Sequence, residues 1–328
     1  MRKFTATPSR RLVLLIVIGA LLIAASYGVD ELRVYQMAQV AVFVVAISSI
    51  VLLTGYSGQI SLGHGAIMAI GAYATVLSYT YWHIHFLLAF LIGGIAGAIT
   101  GFILGIVAAR LSGPYLAGST LALAVGLPSL ANQFHVLGGE QGLQFDIGGA
   151  PAAFGQNFTQ YKWFFWVSLL ITLALFWLLQ NLLSSRYGRS WRALRTNPMA
   201  AALSGVNVSK AKVLAFTLSS ALAGFAGALF AMLLGIVTPL AFTLTLSFTI
   251  ITGAVLAGVN RLASSIIGAV ILVSIPEISG AIATHLGNSE RITSNLPGVI
   301  TGVLLIVTVL FAPNGPQIIR KKRLRKSV

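Results

Sequence analysis

Apolar runs of about twenty residues follow one another along almost the whole chain, and this restricts the fold more than any single motif. The hydrocarbon core of a bilayer is ~30 Å thick and is crossed by roughly 20 apolar residues in a helix. Within it every backbone N–H and C=O must be satisfied by the protein itself, so only helices or closed barrels cross. The runs have helical length and no strict alternation, which argues for helices over a barrel. Composition agrees: 57% of the residues are hydrophobic and 8% charged, where a soluble domain carries about a quarter charged residues. The sequence predicts an all-α polytopic integral membrane protein, some of its helices discontinuous.

Ten spans are expected, at about 12–28, 34–54, 60–82, 86–109, 115–134, 162–183, 212–236, 243–259, 263–284 and 296–312. The net charge is +15. Its basic residues sit in short loops beside apolar runs, as orientation signals do, so nucleic acid is not the expected partner. With the N-terminus inside, Arg2, Lys3, Arg10, Arg11, Arg110, the loop at 184–212, Arg261 and the tail at 320–326 all fall inside. Arg33, Lys162 and Arg291 fall outside, with Asp30, Glu31, Glu140, Asp146 and Glu290; Glu277 lies in the outer part of the ninth span. Lys and Arg thus predict an N-in, C-in topology. The expected organisation is a cytoplasmic segment 1–11, a transmembrane domain 12–316 and a basic cytoplasmic tail 317–328. Residues 1–28 also have the makeup of a signal peptide. A retained first helix is expected, because it makes the charge map close.

Enzyme signatures are missing. The chain has no cysteine, which excludes disulfides and thiolate chemistry. It has no G-x-x-x-x-G-K-[ST] phosphate loop and no H-E-x-x-H. Ser209 and Lys212 form an S-x-x-K pair in a loop with no shielding pocket, read as coincidence. His83 and His85 lie beside Tyr79, Tyr81 and Trp82, and read as an interfacial belt rather than as metal ligands. Glu277 is the only carboxylate in a span, either snorkelling towards the outer surface or functional. A charge at mid-bilayer costs roughly 2.5–3.5 kcal/mol, and the scarcity of such residues argues against a proton- or ion-coupled carrier.

Three features of the spans and loops stand out. Pro128 and Pro276 fall inside spans, and the third span opens on the polar GYSGQISLGHG at 55–65. Interrupted helices persist where protein or a watery cavity satisfies the freed backbone, and mark transport paths; the alternative is a structural kink. Gly55, Gly58, Gln59, Ser61, Gly63, His64 and Pro128 are the candidate path residues. Gly93, Gly97, Gly101 and Gly105 recur every fourth residue and make a bare stripe for close helix packing, with Gly224 and Ala228 a weaker version. The third feature is the loop at 184–212, with six basic residues (Arg186, Arg189, Arg192, Arg195, Lys210, Lys212) and no acidic one. Pro198 suits a helix start, Ala200, Ala201, Ala202 and Leu203 are helix formers, and Gly205 suits a stop. Such a short helix can seat in a groove on a partner; the alternative is an ordinary solvated loop.

The segments at 55–74 and 188–229, together with LPGVITGVLLIVTVLFAPNGP at 296–316, resemble the permease subunits of branched-chain amino acid ABC importers, particularly the LivM type. The resemblance implies an inner-membrane, multi-pass subunit that binds no cofactor, ATP and Mg being used by partner subunits. It implies two cytoplasmic ATPases, a second homologous permease, and a periplasmic or surface-anchored substrate-binding protein. It makes AAALSG at 200–205 the coupling helix. Arg189, Arg192, Arg195, Asn197, Pro198, Ala200, Ala201, Ala202 and Gly205 are then the coupling residues. The acidic residue usual ahead of that element is replaced by Met199 or Pro198, and the family's glycine-rich turn before the penultimate helix is reduced to AGVNRLASS at 257–265. GGEQGLQF at 138–145 matches its outer motif only loosely. Related permeases import urea, short amides, sugars or nucleosides. A self-contained carrier or channel and a non-transporting scaffold are the rival classes.

Overall fold

The computed structural model describes residues 8–111, 113–150, 154, 158–285 and 290–311. Residues 1–7 of the expected N-terminal segment and the whole basic tail lie outside the described residues. The helices are α1 (Pro8–Ala25), α2 (Glu31–Ile50), α3 (His64–Trp82), α4 (Phe86–Arg110), α5 (Pro114–Gln133) and α6 (Gln160–Ser184). They continue as α7 (Arg186–Thr196), α8 (Pro198–Leu203), α9 (Val208–Leu234), α10 (Leu244–Ala257), α11 (Ser264–His285) and α12 (Glu290–Phe311). Two short strands, β1 (Leu143–Gln144) and β2 (Ile236–Val237), pair antiparallel with Leu143 opposite Val237.

Helices α3, α4 and α9 form the tightest part, and glycine is the reason. A methyl at Gly97 would collide with the backbone of Ser220 and Gly224, one at Gly101 with Ser220 and Phe216, and one at Gly105 would press on Val213. Gly93 meets Gly71 and Thr75 of α3, and Gly71 in turn faces Gly224. The expected stripe thus packs α4 onto α9 and α3, backbone to backbone, where in lipid only dispersion and hydrogen bonds drive helices together. Helix α2 and the turn that continues it lie at the centre: Val42 and Ile47 of α2, and Leu52 and Leu53 just beyond it, are fully buried and share the core with Ile67, Met68, Phe216 and Leu229.

The expected count of ten spans is too high. Among the described residues seven helices are long and apolar enough to cross a membrane, or eight if α5 and the short helical stretch His135–Gln141, bent from it by 101°, form one span. Helix α3 is not among the seven, its mean hydropathy being lowered by His64, Thr75, Ser78 and Thr80.

The prolines do not interrupt their helices either: Pro128 lies inside a continuous α5 and Pro276 inside a continuous α11. A proline deletes one donor and need not end a membrane helix whose neighbours satisfy the freed carbonyl. The discontinuity lies elsewhere. Helix α2 widens into a π-helical turn over Val51–Tyr56, the chain crosses a loop at 57–63, and α3 starts at His64.

Charge separates the two ends of the bundle. Arg11, Arg110, Arg186, Lys210 and Arg261 lie at the ends of α1, α4, α6, α9 and α11 that face away from Asp30, Glu140 and Glu277. At the acidic end, Arg33 forms a half-exposed ion pair with Glu277 (2.9 Å) and the Lys162 ammonium sits 5.3 Å from the centre of the Tyr27 ring. Tyr81 and Trp82 are exposed beside them on α3.

Candidate functional site

Helix α7 was expected as loop. Its arginines hide an amphipathic pattern: Gly188, Trp191 and Leu194, three apart, are buried, while Arg186, Arg189, Arg192 and Arg195 are exposed. Ser185 caps it, accepting from the Tyr187 N–H. The Trp191 indole N–H donates to the Ala211 carbonyl (2.9 Å) and Gly188 lies against the Leu183 backbone, so α7 is fixed between the end of α6 and the start of α9.

Arg195 ends this helix. Its guanidinium donates to the Gly55 carbonyl, in the π-helical turn, and to Asn260 Oδ1 (2.8 Å), in the α10–α11 link. Its side chain also lies against Gly58, whose φ of +74° only glycine adopts without strain. Arg192 places its guanidinium 5.8 Å from the centre of the Tyr56 ring. One end of α7 therefore touches two membrane helices at their breaks. Arg189 makes no such link; it is exposed on the same face.

Helix α8 follows after one residue. Asn197 caps it, its Oδ1 accepting from the Met199 and Ala200 N–H groups (3.0 and 3.1 Å). Gly205 ends it at φ +83°, as the stop signal predicts. Ala201 is buried, whereas Pro198, Ala200 and Ala202 are exposed. Met199 and Leu203, one turn apart, are 77% and 92% exposed, so the helix presents an apolar pair to solvent. Asn207 then caps α9. The loop is thus a helical hairpin, rigid at both joints and bare at its tip.

In the polar segment at 57–64, Ser57, Gln59, Ser61, Gly63 and His64 are buried, while Gly58 and Ile60 are exposed. His64 Nε2 lies 2.9 Å from Ser219 Oγ, which donates its own proton to the Ser49 carbonyl (2.7 Å), so Nε2–H is the donor. His64 Nδ1 lies 3.1 Å from Ser61 Oγ. Gln59 donates to Ser57 Oγ (2.8 Å) and to the Lys212 carbonyl (3.3 Å). Gly55 abuts the Val259 carbonyl and Gly63 the Thr120 backbone; the Leu62 N–H donates to Thr120 Oγ1 (3.0 Å). Gly65 donates to Ser247 Oγ (2.9 Å). The segment joins α2, α3, α5, α9 and α10 at one point. Pro128 does not belong to it, lying on α5 two turns beyond Thr120, about 12 Å away. Neither the 730 Å³ cavity beside His83 and His85 nor the 520 Å³ cleft between α1, α2, α6 and α11 touches the segment.

Several partners went unread in the sequence: Asn260, Thr120, Ser219 and Ser247. The hydroxyls carry no signal, since Thr100 and Thr217, equally isolated in apolar helices, bond only their own helix carbonyls. Asn260 stands in AGVNRLASS at 257–265, one of the stretches that depart from the family pattern, and that departure was the available sign.

A helical bundle with a break between two core helices and a capped hairpin on its basic face is a polytopic membrane protein by architecture. The chain belongs to the family described as "Branched-chain amino acid transport system / permease component", whose profile matches residues 32–309, a multi-pass family of the bacterial inner membrane. It is 29% identical over 288 residues to the high-affinity branched-chain amino acid transport permease LivM of Salmonella typhimurium, and 28% identical to that of Escherichia coli. The match covers 80% of this chain and 64% of each relative. The Autoinducer 2 import system permease LsrC of Yersinia pseudotuberculosis is 30% identical over 44% of this chain and 40% of its own length. No solved structure matches.

Proposed function

We propose that this chain is a translocating subunit of an ATP-binding-cassette importer for branched-chain amino acids, oriented with its basic end in the cytoplasm. It pairs with a second permease, receives substrate from an external binding protein, and takes its work from two ATPase subunits that hold ATP and Mg. Helix α8 is the docking element. Met199 and Leu203 seat in a groove of the ATPase, with Pro198, Ala200, Ala202 and Gly205 setting the helix's shape, Ala201 anchoring it and Arg189 meeting the rim.

The observation that carries this reading is the route from α8 to the bundle. Asn197 joins α8 to α7, and Arg195 joins α7 to Gly55 and Asn260. Movement of the tip is delivered to the π-helical turn and to the α10–α11 link without passing through a flexible segment. The joint at 57–64 is then where alternating access turns, with the candidate path residues Gly55, Gly58, Gln59, Ser61, Gly63 and His64 as its moving parts.

Changing Leu203 to Glu is expected to abolish leucine uptake by the reconstituted importer while membrane insertion stays intact, because a carboxylate would have to enter an apolar groove. Undiminished uptake would overturn the docking role. The similarity to an autoinducer importer supplies the alternative cargo. A binding partner that carries no branched-chain amino acid, in equilibrium dialysis, would move the substrate to that class.

A further inference from the structure

The inner ends of α1 and α6 form a site that coupling does not use. Arg11 donates to Ser184 Oγ (2.9 Å) and reaches the Gln180 carbonyl (3.4 Å) and Asn181 Oδ1 (3.5 Å). The Trp177 indole N–H donates to the Pro8 carbonyl (3.4 Å). These bonds fix α1 to α6 at one level. That level is the membrane surface: the apolar run of α1 starts at Leu12, and Ser184 is the last residue of the α6 span. Arg186 emerges two residues later, its guanidinium 5.1 Å from the centre of the half-exposed Tyr187 ring and its Nη2 3.2 Å from the Tyr187 hydroxyl.

Both guanidiniums therefore stand at headgroup depth, beside an aromatic belt of Trp177 and Tyr187. Below them is a wall of hydrocarbon, since Leu12, Val13, Leu14, Ile16 and Val17 of α1 are exposed. Among the described residues no carboxylate lies at this end of the bundle. The sequence has only six acidic residues, and Asp30 and Glu31 are at the far end of α1, with Glu140, Asp146, Glu277 and Glu290 on elements at that same end. The counter-charge comes from outside the chain.

We propose that Arg11, Arg186 and Ser184 bind the phosphate of an anionic phospholipid of the inner leaflet, whose acyl chains lie along the exposed face of α1. Lipid is favoured over an acidic protein because both arginines lie on the flank where α1 faces outward, away from the α8 tip. Polybasic groups at a membrane surface gain about 1 kcal/mol each from anionic lipid, and guanidinium matches phosphate geometry. The proposal is independent of the cargo and of the ATPase.

The test is native mass spectrometry of the full chain released from mixed phosphatidylglycerol and phosphatidylcholine micelles. Wild type is expected to retain phosphatidylglycerol preferentially, and the double change Arg11→Gln and Arg186→Gln to lower that preference by roughly 30-fold. Arg186→Gln alone, which leaves the α1–α6 bonds in place, should lower it by roughly fivefold, with Arg186→Lys close to wild type. Arg110→Gln, at the same end but on α4, should change nothing. Equal retention by wild type and double variant overturns the site, as does an equal loss in the Arg110 variant. Displacement of the lipid by excess inorganic phosphate alone would show a free-anion site instead, and overturns it too. If Arg186→Gln releases the ATPase subunits but keeps the lipid preference, the residue belongs to a protein interface and the proposal fails.

Discussion

Arg195 matters because of its shape. Two acceptors on different membrane elements, the Gly55 carbonyl and Asn260 Oδ1, are met by one Nη1, with the side chain laid on Gly58. Lysine carries the same charge as a point and cannot keep that reach and stacking. Arg195→Lys is expected to lower leucine uptake per ATP hydrolysed by about tenfold, the worth of one charge-assisted hydrogen bond of about 1.5 kcal/mol. An uptake-to-hydrolysis ratio equal to wild type would refute the link. Ser219 makes the opposite case. Its hydroxyl accepts from His64 and donates to Ser49 in a fully buried setting. Ser219→Ala orphans a donor and an acceptor, at about 1–3 kcal/mol each, and should show as a clear drop in the unfolding midpoint in detergent. The sequence displays the caps of α8, because Asn197, Pro198 and Gly205 act through local backbone geometry. It does not display Ser219, because that role depends on a partner 155 residues away.

Elements differ in how openly they declare themselves. The α4 stripe is readable because glycine every fourth residue has one packing consequence, and Gly97 does meet Ser220 and Gly224. Gly97→Val should cost about 1–3 kcal/mol by overpacking, measured by thermal unfolding of the purified chain. Gly118 of α5 has nothing within 4 Å of where a Cβ would stand, so Gly118→Ala should be neutral or slightly stabilising. Equal losses in the two variants would mean that helix approach is not what the stripe provides. Helix α7 was legible in principle from Gly188, Trp191 and Leu194, but four arginines in ten residues look like loop when charge is read before period. The π-helical turn was not legible: VLLTGY is apolar and β-branched in the ordinary way, and its extra residue per turn answers to packing against Val259 and Arg195. Pro128 and Pro276 misled for the complementary reason. A sequence shows the missing donor but not the neighbours that make its loss harmless.

At the scale of the whole molecule the charge map is the strongest statement the sequence makes, and it can be tested without the partners. The basic hairpin and the acidic loops sit at opposite ends of the bundle, because each span returns the chain to the other side. Lys and Arg near span ends set orientation, whereas Asp and Glu contribute little. Arg33 and Lys162, two of the cations at the acidic end, each have a local partner in Glu277 and Tyr27, which reduces their pull. The rule predicts that the basic end faces the cytoplasm, as the proposed docking to ATPases requires. The chain has no cysteine, so single thiols report cleanly. Glu140→Cys is expected to react with a membrane-impermeant maleimide on spheroplasts, and Leu203→Cys only in inside-out vesicles, where the α8 tip is exposed. The reverse pattern would put the hairpin outside, and with it would go both the ATPase docking role and the inner-leaflet lipid site.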